Sequence, residues 1–76
     1  MIEEAKVRSE IASKLRKPVD RVADATPLTE LVQESFALVE MVIDLQETFG
    51  VRFSQEDLNA VRTVGDLVTL VRKRAP

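Results

Sequence analysis

Between Ser35 and Gly50 the chain reads SFALVEMVIDLQETFG, and its apolar residues recur at helical spacing. Leu38, Met41, Val42, Leu45 and Phe49 stand at i, i+3, i+4, i+7 and i+11, a complete stripe along one helix face. Gly50 is a natural stop, because the residue after a helix often takes a left-handed conformation that glycine adopts at no steric cost. A helix with one such face must bury it against something. No segment of the chain alternates as a strand, so the partners have to be other helices.

Those partners can be read from their ends. A first helix is expected over residues 3 to 17, with Val7, Ile11 and Leu15 at i, i+4 and i+8. Glu3 and Glu4 suit its positive end, Lys14, Arg16 and Lys17 its negative end, and Pro18 stops it. Ser54 is followed three residues later by Asp57, and Thr63 by Asp66, two capping-box patterns. They open a short helix to residue 60 and a last helix to residue 74, with Val64, Leu67, Val68 and Val71 inward. Between the first two helices lies PVDRVADATPLTELVQ, residues 18 to 33. A connection of that length in a small domain is uncommon and usually functional. Its spaced Val19, Val22, Leu28, Leu31 and Val32 imply that it is ordered and pinned across the core. The expected fold is all-α: a four-helix bundle with a long ordered first connection and a short third helix, forming one domain over residues 1–76.

Composition removes several function classes. There is no cysteine and no histidine, hence no thiolate nucleophile, no imidazole base and no zinc site built from either. Net charge is −2, with basic residues scattered apart from KLRK at 14 to 17 and RKR at 72 to 74. With no Tyr or Trp and three Phe, the chain offers neither a phosphate-neutralising face nor a stacking platform, so nucleic acid is not an expected partner. The apolar runs fall short of a membrane span, and MIEEAKVRSE is acidic where a signal peptide is basic. No membrane association, a monomer and a cytoplasmic location are expected.

Ser35 admits two readings. It can be the N-cap of the second helix, but the box seen at Ser54 and Thr63 is missing, since Leu38 stands three residues on. Alternatively Glu34 occupies the cap, leaving Ser35 in the first turn with a free hydroxyl. An anion esterified there would sit among unpaired N–H groups at the positive end of the dipole.

The segments ESFALVEMVIDLQETFGVRFSQEDL and VRTVGDLV resemble the acyl carrier protein family. Its members open the second helix with Asp-Ser-Leu, end it in Phe-Gly, and begin the last helix with a TVGDLV-like run. The resemblance covers essentially the whole chain and includes the serine to Phe-Gly distance. Glu34 stands where the family usually has Asp, and Phe36 where it usually has Leu.

The resemblance implies a four-helix bundle and a phosphopantetheine group esterified to Ser35, whose terminal thiol holds acyl groups as thioesters. It implies a carrier that is itself no enzyme, with no catalytic residue and no metal, loaded by a phosphopantetheinyl transferase. Further partners would be an acyltransferase, a ketosynthase or other biosynthetic enzymes of polyketide or fatty acid assembly. The second apolar set, Phe36, Val39 and Ile43, lies off the core stripe beside Glu34, Glu40, Asp44 and Glu47, and the resemblance makes this face the partner-binding surface. The initiator-like Met1 and the end just after the last helix are expected of a freestanding carrier. A peptidyl or aminoacyl carrier, or a helical interaction domain without cofactor in which Ser35 only caps, are the alternatives.

Overall fold

The computed structural model describes residues 2 to 75. Helices α1 (Glu4–Leu15), α2 (Leu28–Leu31), α3 (Ser35–Phe49), α4 (Gln55–Ala60) and α5 (Val64–Arg74) follow in chain order, with a 3-10 turn at Val19–Arg21. Three of them are long, and α1 packs against both α3 and α5. The core they share is built from Val7 and Ile11 of α1, Met41, Val42 and Leu45 of α3, and Val64, Leu67, Val68 and Val71 of α5. Ile11, Leu45 and Leu67 are fully buried, and each such side chain contributes on the order of 2 kcal/mol by leaving water. Leu38 and Phe49, the two ends of the expected core stripe, are only half-buried and pack against the edge of this core.

The caps behave as their sequences imply. Ser54 Oγ accepts from Asp57 N–H at 3.1 Å while Asp57 Oδ2 accepts from Ser54 N–H at 2.9 Å. Thr63 and Asp66 repeat the exchange, each at 3.2 Å. Gly50 closes α3 in the left-handed region at φ 65, and Val51 N–H donates to Gln46 O at 3.0 Å.

α1 ends at Leu15, earlier than the expected residue 17. The stop is Arg16, a non-glycine residue at φ 56 and ψ 42. Its N–H donates to Ser13 O at 3.2 Å, and Lys17 N–H reaches back to Ala12 O at 3.0 Å, a Schellman closure completed before Pro18 is reached.

The long connection is ordered, and its pinning is more specific than its apolar residues foretell. Val22, Leu28 and Val32 are buried, Leu31 is half-buried and Val19 is exposed, so Val19 does not help to pin it. The backbone does the rest. Leu28 N–H donates to Arg62 O at 2.9 Å, Val64 N–H to Thr26 O at 3.0 Å, and Gly65 N–H to Asp24 O at 2.9 Å. This strap between residues 24–28 and 62–65 includes an isolated antiparallel bridge between Pro27 and Thr63. Gly65 is favoured by closeness, because a Cβ there would lie 3.0 Å from Asp24 O and 3.1 Å from Asp24 Cβ, tight enough that the Asp24 turn would have to give. Arg8 of α1 bonds the Asp24 carboxylate and holds the same turn from the other side.

Candidate functional site

Pinning the connection fixes where α3 begins. Glu34 takes the N-cap position with extended backbone, φ −99 and ψ 124, but its side chain makes no capping hydrogen bond. Ser35 is therefore the first residue of the helix, fully in its first turn. Its side chain is exposed and makes no hydrogen bond among the described residues. Of the two readings of this serine, the one with a free hydroxyl is the arrangement found.

The first intrahelical bond of α3 runs from Leu38 N–H to Glu34 O at 3.2 Å. The N–H groups of Ser35, Phe36 and Ala37 thus have no acceptor within the helix, and no acidic residue lies in the first turn to offset the dipole. A phosphodiester on Ser35 Oγ fits this setting: the residue is exposed, the unpaired leading amides and the helix dipole favour an anion, and no side chain has to leave. Among the described residues no carboxylate or amine hydrogen-bonds the Ser35 hydroxyl, so nothing in this geometry activates it as a nucleophile.

Of the remaining site residues of the sequence reading, all but Glu34 share one face of α3; Glu34, at the N-cap, stands on the other flank. At about 100° per residue, Phe36, Val39, Glu40, Ile43 and Glu47 lie within an arc of about 100°. Phe36, Val39 and Ile43 are 71%, 54% and 47% exposed, which takes all three out of the core. Glu40, Asp44 and Glu47 are exposed beside them, and Glu34 is exposed at the N-cap. Glu47 lies twelve residues beyond Ser35, about 18 Å along the axis, so the face extends well past the serine.

Among the concavities along α3, two lie beside its first half, and neither is evident in the sequence. One is an apolar crevice of about 150 Å³ between α3 and α4, lined by Leu38, Val39, Val42, Ile43, Leu58 and Val61. Gln46 is the polar group at this crevice, its Oε1 held by Phe53 N–H at 2.9 Å. The other is an open trough of about 480 Å³ between the end of α1 and the opposite flank of α3. Lys14, Arg16 and Lys17 line one lip, and Glu34, Glu40 and Asp44 the other. The KLRK run was the one sequence signal for this trough, but only the left-handed turn at Arg16 shows where those cations go.

Among the described residues no helix is long and apolar enough to cross a membrane, and no group of acidic side chains is disposed to hold a metal ion.

Comparison with known proteins follows the same lines. Residues 5–71 match the family described as phosphopantetheine attachment site. The acyl carrier protein of Thermotoga maritima is 35% identical over 71 residues, covering 92% of this chain and 88% of that protein. That of Desulforapulum autotrophicum is 32% identical over 74 residues, covering 95% and 96%. The meromycolate extension acyl carrier protein of Mycobacterium leprae is 32% identical over 57 residues, 75% of this chain and 50% of the relative.

Proposed function

We propose, for a chain that belongs to the acyl carrier protein family and so is a non-catalytic carrier of a phosphopantetheine arm, that the arm is attached at Ser35. The observation that supports this most is the exposed, unbonded hydroxyl at the first position of a helix whose leading amides have no acceptor. Bound there, the group supplies a flexible thiol on which acyl units are held as thioesters. Ser35 supplies the ester oxygen, the amides of Ser35 to Ala37 favour the phosphate charge, and the exposed position leaves the loading enzyme room to approach. The enzyme that loads the arm provides the base, which explains why a chain without histidine can serve.

Residues 1–76 act as a single monomeric carrier domain in the cytoplasm. The relatives are acyl carriers by name, which favours an acyl over an aminoacyl cargo, and family membership disfavours an interaction domain without cofactor. Polyketide or fatty acid assembly is the pathway class, with an acyltransferase and a ketosynthase among the partners. Phe36, Val39, Glu40, Ile43 and Glu47, with Glu34 at the N-cap, form the surface those partners meet. Exposed acids steer the encounter and the aliphatic pair gives a brief apolar contact, as suits a shuttle that must leave each enzyme. The crevice beside α4 holds only about five water volumes, so a long acyl chain would extend beyond it.

Incubation with coenzyme A and a broad-specificity phosphopantetheinyl transferase tests the assignment by intact mass. Wild type should gain one phosphopantetheinyl unit, and folded Ser35→Ala none. A gain that persists in Ser35→Ala overturns it.

A further inference from the structure

Across the trough between α1 and α3, charges of opposite sign line facing lips without meeting. Lys14 pairs with Glu10 on its own helix at 3.8 Å, and Arg16 and Lys17 have no ion-pair partner among the described residues. Glu34, Glu40 and Asp44 on the other lip have none either. Between the lips Leu15 and Leu31 leave partly exposed apolar surface.

We propose that this trough is read by the enzyme that transfers the arm, and that this enzyme brings an acidic patch to Arg16 and Lys17 next to a basic patch for Glu40 and Asp44. The inference rests on Ser35 being the site of attachment. Three observations lead to it. The trough is continuous with the site, since Glu34 lines it and immediately precedes Ser35, and Glu40 belongs both to the trough and to the partner face. The whole-chain charge of −2 gives little long-range pull, so orientation must come from local charge of both signs. A partner that was basic throughout would be repelled by the α1 lip as it approached the α3 lip.

The third observation is Arg16 itself. Its left-handed backbone is strained for any residue with a Cβ, and the equivalent position after α3 is Gly50. A glycine after α1 would relieve the strain but remove the cation, so the strain goes with a charge placed at the rim of the trough.

The test is the kcat/KM of arm transfer from coenzyme A by the host's own transferase, with circular dichroism and thermal melts on every variant. Lys17→Glu should lower kcat/KM by about three- to tenfold at low salt, and less at high salt. Lys17→Gln should fall between, and Arg21→Glu, an exposed cation outside the trough, should leave the rate unchanged. Arg16→Gly should raise the melting temperature while lowering kcat/KM, two changes that a purely structural role would not set in opposition. If Lys17→Glu is loaded at the wild-type rate or faster, the partner surface is basic throughout and the proposal is overturned. Peptide mapping of loaded wild type separates the two readings. Modification away from Ser35 removes the attachment assignment, whereas loading at Ser35 with a rate indifferent to Lys17 removes the trough alone.

Discussion

Asp57 and Arg74 meet side-on, with Arg74 Nη2 2.7 Å from Asp57 Oδ1 and Nε 3.1 Å from Oδ2. The pair joins the first turn of α4 to the last turn of α5. Because Oδ2 also accepts from Ser54 N–H, one carboxylate both caps the short helix and anchors it. At six residues α4 is too short to be stable alone, and this anchor helps to keep it in place over the edge of the core.

The Arg74 guanidinium, then the Ser54 N–H, hold the Asp57 carboxyl down to about 2 from its ordinary 3.8. A depressed carboxylate stabilises the fold fully above its unfolded value, and the effect is lost as pH falls through its folded value. Melting temperature should therefore drop between about pH 4 and pH 2. In Asp57→Asn it should be lower at pH 7 and fall less across that window. Equal slopes in the two proteins would show that the pair does not couple to stability.

Leu45 is fully buried and Phe49 half-buried, which reverses the order that side-chain size suggests. Leu45→Ala should cost about 3–4 kcal/mol and Phe49→Ala about 2 kcal/mol, measured by urea titration. A larger loss at Phe49 would mean that its ring closes the core more completely than the structure has it.

Reversing Glu40 and Glu47 to Lys should slow acyl transfer to a cognate partner at low salt, with a smaller effect at high salt because exposed charges are screened. Both positions lie off the core, so circular dichroism should not change. Wild-type rates across the salt series would place docking on another surface.

Gly65→Val should cost about 1–3 kcal/mol, since a branched side chain forces the Asp24 turn to move where even a Cβ would lie 3.0 Å from Asp24 O. Denaturant melts measure this. A neutral result would mean that the Asp24 turn gives way freely.

How much of this was legible in the sequence depends on how local its cause is. The capping boxes at Ser54 and Thr63, the glycine end of α3 and the inward valines and leucine of α5 are set by neighbours within a few residues, and all appear in the structure as read. The core stripe of α3 was legible in phase but not in depth: Leu38 and Phe49 sit at the margin because α3 outlasts the partners that cover it. The Arg16 stop was hidden because non-glycine residues seldom turn left-handed, and Pro18 offered a more obvious ending. α2 and the strap went unread because they depend on residues far away along the chain, and no local pattern records such pairing. For the same reason the exposed Ser35 was accessible to sequence reasoning, as one of two readings, while the trough beside it was not.

The strap also bears on the order in which the molecule comes together. Its bond between Thr26 and Val64 closes a loop that contains all of α3 and α4. The entropy of closing that loop is met once and then shared by three backbone bonds, so they should form and break as a unit. The amides of Leu28, Val64 and Gly65 would then exchange with deuterium as slowly as those of buried helix, although two of their carbonyl acceptors, on Asp24 and Arg62, belong to exposed residues. Opening the strap would release both flanks of the serine-bearing helix together, so the position of Ser35 is secured by residues distant from it in sequence.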